Sequence, residues 1–151
     1  MNKELNLIIL GSSGQLGKEF QELSNQYLQG MSFNFLSKEK FDVTKDNDIS
    51  AYLYDGCKNI IINCSAYTKV DLAEEESEKA MLINGFSLKN ITKIANDTNS
   101  TLVHFSTDYV FSGNTNSPYI EEDKTDPQTA YGESKLLGEN LVINSTLKSI
   151  V

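Results

Sequence analysis

In Tyr131-Gly132-Glu133-Ser134-Lys135 a phenol and an ammonium stand four residues apart, so a helix presents both on one face. A positive charge beside a phenol favours phenolate and draws its pKa toward neutrality, which suits the tyrosine to general acid/base work between an alcohol and a ketone. Y-x-x-x-K alone is a common helix-surface pair, and its company narrows the chemistry. Ser106-Thr107-Asp108 follows the apolar stretch Thr101–Phe105. A hydroxyl at the end of a buried strand can hydrogen-bond a carbonyl oxygen and stabilise the negative charge that develops there. The candidate catalytic residues are therefore Tyr131, Lys135 and Thr107, with Thr107, Asp108 and Tyr131 as candidate contacts to a carbonyl substrate.

Carbonyl reduction also needs a hydride donor. Gly11-Ser12-Ser13-Gly14-Gln15-Leu16-Gly17 joins the apolar run Leu5–Leu10 to a helix-compatible segment, the context a dinucleotide-binding turn requires. Gly11 permits the tight turn, Gly14 lets a pyrophosphate approach the backbone, and Gly17 lets helix and strand pack closely. The spacing is G-x-x-G-x-x-G rather than G-x-G-x-x-G, and a purely structural glycine turn stays open as an alternative. Beyond the second apolar stretch stand Ser37 and Lys38. A carboxylate there would hold a ribose 2′-hydroxyl and a basic residue a 2′-phosphate, so NADP(H) is favoured while NAD(H) remains compatible. Asp42 and Val43 offer a carboxylate and an apolar side chain to adenosine. His104, the single histidine, lies inside an apolar stretch and reads as a satisfied core residue.

These groups need a frame that collects strand ends at one edge. Leu5–Leu10, Phe33–Leu36, Asn59–Cys64 and Thr101–Phe105 read as buried strands, and Gln15–Leu28, Asp46–Tyr54, Ser77–Asn96 and Thr129–Asn144 as helices. The order β-α-β-α-β-α-β-α predicts an α/β fold with a doubly wound parallel sheet, helices on both faces, and ligands beyond the carboxyl ends of the strands. Residues 148–151 resemble the start of a further strand, so the expectation is one domain over 1–151, truncated before a substrate domain. The acidic run Glu74–Glu78 reads as the solvated first turn of a helix.

Composition excludes some partners. With 13 Lys+Arg against 21 Asp+Glu the formal charge is -8, which opposes nucleic-acid binding. Leu5–Leu10 is too short to span a membrane. Cys57 and Cys64 have no metal or redox spacing and read as reduced thiols, so no metal is expected and the cytoplasm is the expected compartment.

The sequence resembles the extended short-chain dehydrogenase/reductase family, within it the dTDP-4-dehydrorhamnose reductase branch. The resemblance is carried by G-S-S-G-Q-L-G-K-E from Gly11, F-D-V-T from Phe41, N-C-S-A-Y-T-K-V-D-L-A-E from Asn63, L-I-N-G from Leu82, H-F-S-T-D-Y-V-F-S-G from His104 and Y-G-E-S-K from Tyr131. It implies a Rossmann-type domain that binds NADP(H) or NAD(H) and reduces the C4 ketone of a dTDP-4-keto-6-deoxy sugar, in rhamnose supply for surface polysaccharide. It implies that Tyr131 donates the proton, Lys135 tunes it and holds ribose, and Thr107 orients the carbonyl. Gly14, Gln15 and Leu16 would contact the pyrophosphate, Asp42 and Val43 the adenosine, and Ser65, Ala66, Tyr67 and Thr68 the nicotinamide half, with Asn84 shaping the site; Gly11, Ser13, Gly17, Ser37 and Lys38 complete the candidate cofactor-binding set. A homodimer is a compatible assembly. A related nucleotide-sugar epimerase or dehydratase and a non-catalytic NADP-binding regulatory subunit stay open as alternatives.

Overall fold

The computed structural model describes residues 4–26, 30–145 and 148–151. Five parallel strands form one sheet in the order β2-β1-β3-β4-β5: β1 Leu5–Leu10, β2 Met31–Leu36, β3 Lys58–Asn63, β4 Thr101–His104 and β5 Ser149–Ile150. β1 pairs with β2 on one side and β3 on the other, Leu10 lying opposite both Leu36 and Asn63. The chain therefore leaves β1 in one direction and β3 in the other, and their loops diverge at a topological switch point.

Right-handed crossovers running in opposite directions put α1 (Gln15–Ser24) on one face, and α3 (Leu88–Asp97) and α4 (Ala130–Ser145) on the other. The principal core lies beneath α3 and α4, where Ile8, Leu10, Leu36, Ile61 and Leu102 of the sheet meet Leu88, Ile91 and Val142. Ile9, of opposite parity, is buried on the α1 side. Neighbouring strands that are apolar on both faces leave little register freedom.

The sheet matches the expected fold class, with strand ends displaced by one or two residues. Helix lengths differ more. The predicted helix Gln15–Leu28 ends at Ser24, and residues 27 and 28 lie outside those described. The expected helix Asp46–Tyr54 is absent; the β2–β3 crossover carries only a 3-10 turn at Ser50–Tyr52. Its polar side chains satisfy the backbone locally: Thr44 N and Ser50 N donate to the carboxylates of Asp42 and Asp48, and Asn47 Nδ2 donates to Asp42 O. Phe41, Val43 and Ile49 still reach the core. Burying such a side chain is worth roughly 1.5–3 kcal/mol, and helix propensities differ by tenths, so a loop that keeps the burial can dispense with the helix.

Asn6 ties this crossover to the sheet. Buried completely, it donates to Tyr52 O at 2.6 Å and Asn59 Oδ1 at 2.7 Å, and accepts from Ser32 Oγ at 2.7 Å and Asn34 Nδ2 at 2.8 Å.

The predicted helix Ser77–Asn96 is interrupted. α2 (Ser77–Ala80) runs into a π turn at Met81–Phe86, where Ser87 N donates to Leu82 O, and α3 follows. Such turns recur at functional sites. This one packs on α4: a Cβ on Gly138 would lie 2.1 Å from Asn84 O, and one on Gly85 2.6 Å from Leu137 Cδ2.

Candidate active site

The β1–α1 turn begins with Gly11 at φ +71, and a Cβ there would lie 2.6 Å from Ser65 Oγ, so the loops after β1 and β3 touch at the switch point. Gly17 is as constrained, its imagined Cβ being 2.5 Å from Ser12 Cα. Gly14 caps α1 in extended conformation without a side-chain partner, and the first turn of α1 has no acidic residue. The first residues of the helix, whose amide groups have no intrahelical acceptor, border a cavity at Gly14, Gln15 and Leu16.

Two cavities share Gly14, Cys64, Ser65 and Ala66 and form one cleft across the strand ends. The first, about 290 Å³, adds Gly11, Ser13, Lys38, Asp42, Val43 and Thr44. The second, about 490 Å³, adds Gln15, Leu16, Thr68, Ser106, Tyr131 and Lys135. Most of the expected adenosine residues thus border one end and the Tyr–Lys pair the other. Gly17, Ser37, Tyr67, Asn84, Thr107 and Asp108 are not on these walls. Ser37 Oγ donates to Glu39 Oε2 at 2.5 Å, and Tyr67 is buried with its hydroxyl on Glu76.

Asn84 stands behind the cleft and is 1% exposed. It accepts from Tyr67 N at 2.8 Å and donates to Tyr67 O at 3.0 Å and Ser134 Oγ at 2.9 Å; Ser134 Oγ donates to Tyr131 O at 2.7 Å. The π turn, the 65–68 loop and the first turn of α4 are thereby joined through one amide. Its amide is hydrogen-bonded to protein at both ends, and it borders neither cavity.

The electrostatics depart from the sequence expectation. Lys135, 3% exposed, donates a short hydrogen bond to Phe105 O at the end of β4. Burial pushes its pKa down to about 8, with Glu139 acting the other way. Tyr131 is not acidified: burial pushes its phenol above the ordinary range, a hydrogen bond with Thr107 lowers it, and Asp108 and Tyr109 raise it again. The resting phenol is therefore protonated at neutral pH. Tyr109 meets the Tyr131 ring edge-on at 5.6 Å.

His104 is in the core as expected, but half satisfied. Asn63 Nδ2 lies 3.2 Å from its Nδ1, which as acceptor places the ring proton on Nε2, and Nε2 has no partner. Burial, then Lys135, push its pKa down to about 3. The acidic run is exposed as expected at Glu74, Glu75 and Glu78, but it is split between two short helical turns and two of its carboxylates have partners. Glu74, in the 3-10 turn Asp71–Glu74, accepts from Ala130 N at 2.9 Å at the start of α4, and Glu76 accepts from Tyr67 and Lys79. Among the described residues no group of His, Cys, Asp and Glu could hold a metal ion, and no helix is long and apolar enough to cross a membrane.

A family model described as "RmlD substrate binding domain" matches residues 5–151. The chain belongs to the RmlD substrate binding domain family. Among relatives, the dTDP-4-dehydrorhamnose reductase of Escherichia coli (strain K12) is 35% identical over 148 residues, 97% of this chain and 50% of that protein. The spore coat polysaccharide biosynthesis protein SpsK of Bacillus subtilis (strain 168) is 36% identical over 146 residues, 96% of this chain and 50% of that one. A crystal structure of dTDP-4-dehydrorhamnose reductase from Bacillus anthracis str. Ames in complex with NADP superposes with a TM-score of 0.85 at 34% identity, covering 99% of this chain and 52% of that one. This RmlD-family chain thus spans about half the length of the relatives it matches.

Sequence patterns miss several groups on or behind the wall of this RmlD-family cleft. Cys64 borders both cavities, its thiol pushed up to about 11 by burial. Cysteine spacing gives it no more than a reduced state, because its position at the switch point depends on strand order. Glu74 closes the N-C-S-A-Y-T-K-V-D-L-A-E stretch from Asn63, a pattern that says nothing of its partner at Ala130, and Glu139 has no motif of its own. Glu139 is nevertheless findable, one helical turn past Lys135 in Y-G-E-S-K-L-L-G-E.

Proposed function

We propose that this chain is the cofactor-binding, proton-donating portion of an NADP(H)-dependent oxidoreductase that reduces the C4 ketone of a dTDP-4-keto-6-deoxy sugar, as the reductases it resembles do by name. The observation that carries this is the single cleft running from the glycine turn, past Lys38 and Asp42, to Tyr131 and Lys135. The donor set fits the cofactor: close-packed glycines, an uncapped helix N-terminus and an exposed lysine suit a pyrophosphate and a 2′-phosphate.

When bound, a dihydronicotinamide supplies the hydride. Tyr131 holds a proton at its phenol oxygen and delivers it to the carbonyl oxygen as that oxygen gains charge. Thr107, whose hydroxyl donates to Asp108 Oδ1 at 3.1 Å and accepts from Tyr109 N at 3.3 Å, would orient the same oxygen. Lys135, bordering the same cavity as Tyr131, would hold the ribose hydroxyls of the cofactor. NADP(H) is the favoured cofactor and NAD(H) the weaker one. The domain boundary 1–151, a cytoplasmic location and a homodimer belong to the same proposal.

The test is an NADPH fluorescence titration of the chain, with turnover of the keto sugar measured in a chain extended to the length of its relatives. Tyr131→Phe should abolish turnover and leave NADPH affinity within about twofold, because the ring packing survives loss of the hydroxyl. Unchanged NADPH fluorescence at millimolar protein would reject the cofactor site, and undiminished turnover in Tyr131→Phe would reject the proton donor.

A further inference from the structure

Resting on that cofactor reading, we propose that Glu139 is a positioning residue for Lys135: anchored at Ser106, its carboxylate is the counter-charge that keeps the buried ammonium charged where ribose must be held. Lys135 and Glu139 are one turn apart on α4 and both reach over the end of β4, Lys135 to Phe105 O and Glu139 Oε2 to within 3.5 Å of Ser106 Oγ. Helix and strand end are thus clasped by two adjacent contacts from two adjacent turns. A buried ammonium needs compensation, yet the described ion pairs do not include Lys135. Its direct partner is a neutral carbonyl.

Other titratable groups around Lys135 are poorly suited to the task. On β4, His104 is neutral, its pKa pushed down to about 3. Cys64, across the cleft, is held protonated by burial, and Tyr131, on α4 itself, is pushed up. Glu19 of α1 borders the cavity from the opposite face of the sheet. Glu139 remains, half-buried and raised by burial, with the Ser106 hydrogen bond and then the Lys135 charge drawing it back toward the ionised form. The coupling is reciprocal, since Glu139 raises the pKa of Lys135.

The experiment follows Lys135 directly. Isotope-labelled lysine is titrated by NMR in the whole chain, Lys135 being assigned by the signal lost in Lys135→Met, and NADPH affinity is measured from about pH 6 to about pH 9.5. Lys135 should titrate near the pKa of about 8 set by its surroundings. In Glu139→Gln that pKa should fall by about half to one unit. The alkaline loss of NADPH affinity should move with it, giving about twofold to fivefold weaker binding near pH 8 and little change near pH 6. Glu139→Asp should recover most of the shift. A Lys135 pKa unmoved by Glu139→Gln overturns the proposal. If that variant does not fold, Ser106→Ala decides instead: it frees the carboxylate and must lower the Lys135 pKa, and an unmoved pKa there overturns the proposal equally. Lys135 moving as expected in a chain that takes up no NADPH would sink the cofactor reading and leave the pairing standing.

Discussion

The amide of Asn84 grips the main chain of Tyr67 at both ends, accepting from its N–H at 2.8 Å and donating to its carbonyl at 3.0 Å, 17 residues away in sequence. Asn84→Ala leaves both groups buried without partners and removes the donor to Ser134 Oγ. We expect a loss of about 2–4 kcal/mol in urea unfolding, the sum of such orphaned groups. NADPH affinity should fall at the same time, because the 65–68 loop borders both cavities. Full affinity retained at a lower midpoint would separate the loop's placement from this amide.

Two glycines of α4 should resist even a methyl group. A Cβ on Gly132 would lie 2.3 Å from Tyr109 O, and one on Gly138 2.1 Å from Asn84 O, both backbone atoms. Gly132→Ala and Gly138→Ala are each expected to cost about 1–3 kcal/mol despite alanine's better helix propensity. Thermal unfolding of the two variants decides it: a raised melting temperature in either would mean that the backbone there yields.

Lys38→Ala tests cofactor choice. The side chain borders the adenosine end of the cleft, where a single exposed charge on a phosphate is worth about 0.7–1.4 kcal/mol, or about threefold to tenfold in affinity. NADPH binding should weaken by that factor and lose part of its salt dependence, with NADH binding unchanged. Equal losses for both cofactors would count against a 2′-phosphate contact.

His104 gives an acid dependence whose sign can be worked through. Its folded pKa is depressed from 6.5 to about 3, so below about pH 6.5 the unfolded chain takes up a proton that the folded chain refuses. Stability from this group is complete above 6.5 and drains away as pH falls toward 3, at up to about 1.4 kcal/mol per pH unit. Lys135 is charged in both states through most of that window and adds little slope. His104→Gln should flatten the limb between pH 6 and 4 in pH-dependent urea melts; an unaltered slope would assign the limb to carboxylates such as Asp42, which are also depressed.

The sheet and the cleft's two ends are legible in the sequence because short-range signals specify them. Leu5–Leu10 is apolar but for Asn6, Gly11 requires a positive φ, and Tyr131 and Lys135 sit at helical spacing. What escapes depends on side chains replacing backbone partners or on contacts far apart in sequence. The 46–54 segment has helix-compatible apolar spacing, yet Asp48 and Ser50 close a local turn instead. Glu74 reads as part of a solvated acidic run because its partner, Ala130, is 56 residues away. The expected acidification of Tyr131 by Lys135 fails for a related reason: helical spacing sets which face a side chain shares, while burial and the Phe105 carbonyl decide where its charge is spent.

The π turn at Met81–Phe86 adds one residue to an otherwise regular helix, so everything before it is out of phase with everything after. That offset lets Asn84 aim at Tyr67 and Gly85 meet Leu137 while Leu88 and Ile91 still point into the core. Shortening this stretch by a single residue is expected to straighten the helix and swing the asparagine aside by about a quarter of a turn. A smoother helix would aim this buried amide at the wrong neighbour.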